Sequence, residues 1–183
     1  MGGAEVNVWH DRVGLSPQAD EDVEGIKEAV KVVEAEVEEL EKLGIPSKYI
    51  FVFGFSMGGH VALQFFLQSA VSKRIGGVAA MSCFLAENSL AWRFIEEDRS
   101  VNTKICGTNS QSVDSSYPKL FQLHGEADEM VKEAWGYQTS TRLRENGIVH
   151  EYKSYPSLGH GLRHDAMRDI EQWMLVEEEV KSE

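Results

Sequence analysis

Residues 49–66, Tyr-Ile-Phe-Val-Phe-Gly-Phe-Ser-Met-Gly-Gly-His-Val-Ala-Leu-Gln-Phe-Phe, limit the fold more than any other stretch of the chain. Ile50 to Phe53 is a run of β-branched and aromatic residues without polar alternation, which reads as a strand buried on both faces, the pattern of parallel strands in α/β proteins. A helical pattern follows at once, and Gly54-Phe55-Ser56-Met57-Gly58 lies between the two. Gly-x-Ser-x-Gly in a strand-turn-helix setting carries a mechanism: the serine sits at a strained turn, and its neighbours two residues away must lack side chains for strand and helix to pass closely. Ser56 is thereby a candidate nucleophile at the carboxyl end of a sheet. The amide of Met57 and the helix amino terminus beside it form a site for developing negative charge.

A serine needs a histidine base, and the histidine needs a carboxylate to orient it. In open α/β sheets such groups belong to loops at the carboxyl ends of later strands. Lys119-Leu120-Phe121-Gln122-Leu123-His124-Gly125 reads as one such strand and is followed by Glu126-Ala127-Asp128. Residues 150–155 alternate as another, broken by Pro156-Ser157-Leu158-Gly159-His160-Gly161. Asp128 and His160 thus follow Ser56 in the order Ser, Asp, His, which is the order of α/β-hydrolases. Other residues compete for these roles. Glu126 and Glu129 could replace Asp128, although the shorter side chain loses less entropy in reaching a fixed imidazole. His164 falls on the last predicted helix, where a surface or capping role fits; His150 opens a strand and His124 sits inside one.

The remaining chain fits the same architecture. Ser16-Pro17 is a predicted helix start. Val23, Ile26, Val30, Val33, Val37 and Leu40 recur at steps of three and four until Gly44 and Pro46, which gives an amphipathic helix with a glutamate-rich solvated face. A coiled-coil seam has the same spacing, but this run is shorter than four heptads and leads directly into a buried strand, so packing on the sheet is expected. Val61 to Leu67 leaves little polar surface and predicts the most enclosed helix, and residues 75–82 read as a second interior strand. A short helix is predicted around residues 90–96, then a Ser, Thr and Asn-rich loop over 100–116, long enough to be mobile or functional. Further predicted helices run from Val131 to Asn146 and through Leu162, Met167, Ile170 and Trp173. Alternating strands and helices predict a mainly parallel sheet covered on both faces. Residues 1–176 are expected to form a single α/β-hydrolase-like domain, and 177–183 a frayed acidic tail.

With 183 residues, the chain can bury a core without disulfide staples. Its net charge of −12 argues against nucleic acid and against stable association with anionic membranes. Cys83 and Cys106 make no disulfide framework, and no stretch resembles a signal peptide or a membrane span, so a reducing cytoplasmic setting is expected. Cys83 reads as a small buried hydrophobe. No Cys and His set has metal-ligand spacing, and no phosphate-binding glycine loop is present; neither metal nor cofactor is expected.

Residues 54–59, 120–131 and 154–160 together resemble the acyl-protein thioesterases and lysophospholipase-like proteins, phospholipase/carboxylesterase-type enzymes of the α/β-hydrolase fold. The likeness begins at about Asn7, where Asn7-Val8-Trp9 and Asp11 match a segment bordering the family's active site. It implies a cytosolic serine hydrolase acting on acyl thioesters of proteins, lysophospholipids or small esters. It also implies Ser56 as nucleophile, His160 as base, Asp128 as orienting acid, Met57 as one oxyanion amide and Trp9 beside the substrate. Family members begin with further strands and helices, including a His-Gly loop that supplies a second oxyanion amide, so the resemblance implies a domain shortened at its amino terminus. Loss of one oxyanion donor costs about a hundred- to a thousandfold in turnover, so impaired activity is expected. The strand edge at Ile50 to Phe53 would then be open to pairing with another chain, as in a homodimer, and a non-catalytic partner-binding form is the alternative.

Overall fold

A computed structural model describes residues 7–95 and 117–176. Four strands, β1 (Phe51–Phe55), β2 (Gly77–Met81), β3 (Lys119–Gly125) and β4 (Glu151–Tyr155), form one sheet in the order β1-β2-β3-β4, and every pairing is parallel. The helices are α1 (Val23–Lys42), α2 (Met57–Gln68), α3 (Glu133–Glu145) and α4 (His164–Leu175). Residues 91–95 are also helical, within the segment predicted for a short helix. The predicted loop over 100–116, Cys106 and the acidic tail lie outside the described residues.

Alternation along the strands divides the core in two. Val78, Ala80 and Leu120 face α1 and α2, whereas Ala79, Met81, Phe121 and Leu123 face α4. Helix α2 is the enclosed one: from Gly59 to Leu67 every residue is buried, so its polar members need internal partners. Helix α1 lies against it through Ile26, Val30 and Val37, with the glutamates outward as their spacing predicts.

The structure corrects three expectations. Strand β1 is not buried on both faces: it is an edge, paired among the described residues with β2 alone, and Phe53 is 37% exposed. Helix α1 starts at Val23, not at Ser16-Pro17. Residues 16–19 form a turn closed by Ala19 N–H donating to Ser16 O, and Glu21 is held extended by a bridge to Arg12. The helix therefore begins only after Asp22, whose carboxylate caps it by accepting from Gly25 N–H. Finally, α4 buries Ala166, Ile170 and Trp173, while Leu162 precedes the helix and is exposed, as is Met167.

Trp173 holds α4 on the sheet. Its ring meets Phe51 at 5.9 Å and Phe121 at 5.7 Å, and the Lys119 ammonium lies over it at 4.7 Å while also donating to Trp173 O at the end of the helix. Truncation to alanine removes most of what covers this face, so Trp173→Ala is expected to lower the free energy of unfolding by about 3 to 5 kcal/mol. Urea denaturation of both proteins measures the difference; a change near zero would contradict this assignment.

Candidate active site

The turn between β1 and α2 places Ser56 at φ 56° and ψ −118°, a left-handed conformation that a side-chain-bearing residue adopts only under constraint. Ser56 N–H donates to Met81 O at 2.9 Å, which ties the turn to β2, and Ser56 O accepts from His60 N–H at 3.0 Å, which starts the helix. Gly54 permits the close passage: a Cβ there would lie 2.1 Å from Gly58 O. Ser56 remains half-buried, with its hydroxyl at the carboxyl end of the sheet.

The loops after β3 and β4 reach the same end of the sheet. Ser56 O–H donates to His160 Nε2 at 2.9 Å, and His160 Nδ1–H donates to Asp128 Oδ2 at 2.8 Å. This direction assigns the tautomer, since the ionised carboxylate can only accept. Asp128 Oδ1 accepts from Met130 N–H at 3.0 Å and Val131 N–H at 2.8 Å, so both oxygens of a fully buried carboxylate are satisfied. The two loops are stapled together: Glu126 N–H donates to Tyr155 O and Ala127 N–H to Leu158 O, each at 3.0 Å. Phe55 packs its ring 4.9 Å from that of His160. The rival carboxylates Glu126 and Glu129 are exposed.

Met57 opens α2, and an amide in that position has no partner within the helix. Trp9 is 47% exposed and borders the turn; a Cβ on Gly58 would lie 3.7 Å from its Nε1.

The sequence reading missed the part played by His124, which it treated only as a strand residue. Its ring is 1% exposed, donates from Nε2 to Val131 O at 2.8 Å and passes 3.7 Å from Asp128 Oδ2, bracing the loop that carries the carboxylate. Burial pushes the His124 imidazole below its ordinary pKa, which keeps it neutral and its Nε2–H a donor. The signal was its place near the end of a strand two positions after another buried polar residue, Gln122. Among the described residues, no group of His, Cys, Asp and Glu is arranged to hold a metal ion, and no helix is long and apolar enough to cross a membrane.

A parallel sheet with helices on both faces, a serine on the first strand-helix turn and a histidine and an aspartate on later loops define the α/β-hydrolase fold. The chain belongs to the phospholipase/carboxylesterase family, whose model it matches over residues 1–176. It is 30% identical over 174 residues to lysophospholipase-like protein 1 of Mus musculus, covering 95% of this chain and 66% of that protein. It is 29% identical over 160 residues to acyl-protein thioesterase 1 homolog 1 of Dictyostelium discoideum, covering 87% of this chain and 62% of that one. The chain therefore spans just under two thirds of the length of these relatives. Among solved structures, acyl-protein thioesterase 2 of Zea mays superposes with a TM-score of 0.72 at 25% identity, over 91% of this chain and 71% of that chain. SOBER1 of Arabidopsis thaliana does so with a TM-score of 0.70 at 26% identity, over 94% and 74%.

Near the site, Cys83 is 4% exposed, and burial pushes its thiol up to about 12 despite the opposing pull of Arg12. The thiolate is the reactive form, so this cysteine should resist alkylation in the folded protein. Iodoacetamide at neutral pH followed by peptide mass mapping should find Cys83 unmodified before denaturation and modified after it; native-state alkylation would contradict the packing described.

Proposed function

We propose that this chain hydrolyses acyl thioesters or esters, such as protein S-acyl groups, lysophospholipids or short-chain carboxylic esters, through an acyl-enzyme on Ser56. The observation that carries the reading is the unbroken line of hydrogen bonds from Ser56 Oγ through His160 to Asp128. The names of the relatives, an acyl-protein thioesterase homolog and a lysophospholipase-like protein, support the substrate class. A cytoplasmic setting belongs to the same reading.

The chemistry follows from the geometry. His160 Nε2 accepts the Ser56 proton as Oγ attacks the acyl carbon, and Asp128 stabilises the imidazolium and holds its orientation. Negative charge on the carbonyl oxygen is met by the Met57 amide and the positive end of α2. His160 then protonates the departing thiol or alcohol, leaving an acyl ester on Ser56. Water, deprotonated by the same imidazole, attacks that ester and releases the acid. Trp9 forms one wall of the substrate site.

A fluorophosphonate probe should label the wild-type chain on Ser56 and fail to label Ser56→Ala. Asp128→Asn should lower turnover of a p-nitrophenyl ester by roughly 10⁴-fold, because the amide favours the wrong imidazole tautomer. Folded wild-type protein that takes up no probe would remove the hydrolase reading.

One observation favours the alternative, a non-catalytic form that pairs through its sheet edge, and it also bears on a homodimer of the active chain. Strand β1, Phe-Val-Phe-Gly-Phe, has no charged residue or proline to block pairing, and Phe53 stands exposed on it. Light scattering with size-exclusion chromatography should then find a dimer that Phe53→Lys weakens. A monomer at every concentration would contradict pairing.

A further inference from the structure

Both amides that hold Asp128 Oδ1, those of Met130 and Val131, belong to the turn that Asp128 itself begins. They fix the carboxylate relative to the turn, but they cannot fix the turn relative to the sheet. On its incoming side the turn is tied to the end of β4 by Glu126 N–H donating to Tyr155 O and Ala127 N–H donating to Leu158 O. On its outgoing side the tie is a side chain from β3: His124 Nε2 meets Val131 O at 2.8 Å. A carbonyl oxygen only accepts, so the hydrogen of this bond belongs to Nε2 on geometry alone. The same nitrogen stands 3.7 Å from Asp128 Oδ2, the oxygen that accepts from His160.

The ring is in turn backed by a helix. A Cβ on Gly136, in the first turn of α3, would lie 2.3 Å from His124 Nδ1, 2.9 Å from His124 Cε1 and 3.1 Å from Cys83 O. Glycine weakens a helix, and the φ of Gly136 is not positive, so a need for conformational freedom does not account for it; the close approach of the imidazole does. Helix α3 is held in this place by Leu85 N–H donating to Thr139 Oγ1 at 3.0 Å and by Tyr152 O–H donating to Glu133 Oε1 at 2.7 Å. Trp135 also packs its ring 5.1 Å from that of Phe84.

We propose that His124, wedged between Gly136 and Val131, is a positioning residue for the reaction at Ser56: it carries the placement of α3 through the turn to Asp128 and so sets how the carboxylate meets His160. The proposal rests on the hydrolase reading for the reaction, and on contacts alone for the wedge. An aliphatic side chain could fill this buried space, but it would leave Val131 O without its donor and the outgoing side of the turn untied. Asp128 would keep both amides, since they move with it, and would lose its register with the imidazole. The base is then out of line with Ser56 Oγ for more of the time, which slows the chemical step without changing substrate affinity.

Two substitutions separate the donor from the volume: His124→Leu fills the site without a donor, and His124→Gln places an amide nitrogen near the position of Nε2. With a p-nitrophenyl ester, His124→Leu should lower kcat by roughly 10²-fold while KM stays within about twofold, and His124→Gln should recover most of the loss. Gly136→Ala should push the ring aside and lower kcat in the same way, although alanine favours a helix. The hydrogen of His160 Nδ1, bonded to Asp128, should give a downfield proton resonance in the wild type and in His124→Gln that shifts in His124→Leu. Wild-type kcat in folded His124→Leu or Gly136→Ala, or a His124→Gln no more active than His124→Leu, would overturn the proposal. Should the variants fail to fold, nitrogen-15 spectra of the wild-type chain decide: His124 Nε2 should carry a hydrogen and couple to the Val131 carbonyl carbon, and a bare Nε2 would overturn the wedge. Absence of fluorophosphonate labelling on Ser56 of the wild type would instead remove the hydrolase reading and leave the wedge to be judged by those spectra.

Discussion

The site depends on a serine held where serine does not settle by choice. At φ 56° the Ser56 backbone is strained by about 1 to 3 kcal/mol, and the surrounding contacts must supply that free energy. They do so locally, through the hydrogen bonds to Met81 O and from His60 N–H and through a glycine at position 54 that lets α2 approach β1. The strain has a geometric result: the hydroxyl leaves the plane of the sheet and points at loops from β3 and β4. A relaxed turn would fold more easily and would aim the side chain elsewhere.

Around that turn, buried polar groups are arranged so that none of the essential ones is left without a partner. Asp128 is the clearest case. A buried carboxylate with one unsatisfied oxygen would cost more than the histidine interaction returns, and the amides of Met130 and Val131 remove that cost. His124 then fixes the same loop from within β3 through Val131 O. Helix α2 presents the parallel problem, since a helix so fully enclosed carries His60 and Gln64 into the core. Glu21, Ser89 and His10 answer it, and in doing so attach the amino-terminal loop to the helix that follows Ser56. Packing and positioning are thus served by the same bonds.

The convergence of Ser56, His160 and Asp128 was legible in the sequence because each follows a strand whose composition is unambiguous and because Gly-x-Ser-x-Gly encodes its own backbone geometry. The layering was legible from the spacing of Val and Leu in α1 and from the continuous apolar run in α2. Three features were not. The start of α1 was misplaced because Ser16-Pro17 has the chemistry of a helix cap and of a turn alike, and only the Arg12 to Glu21 bridge decides between them. The exposure of Phe53 was implied by the family resemblance but not by the strand's own residues, because it depends on what lies beside β1, which no local pattern encodes. The line from His10 through His60 to Glu21 joins residues up to 50 positions apart, and a histidine at the start of a helix or in a loop gives no sign of such a partner.

The central claim is that Ser56 becomes covalently acylated during turnover, and rapid-quench kinetics with an activated ester tests it most directly. The account predicts a burst of one equivalent of alcohol per chain, with the acyl group recovered on the peptide containing Ser56. Product formation without a burst and without any acyl adduct, or an adduct on a different side chain, would contradict it.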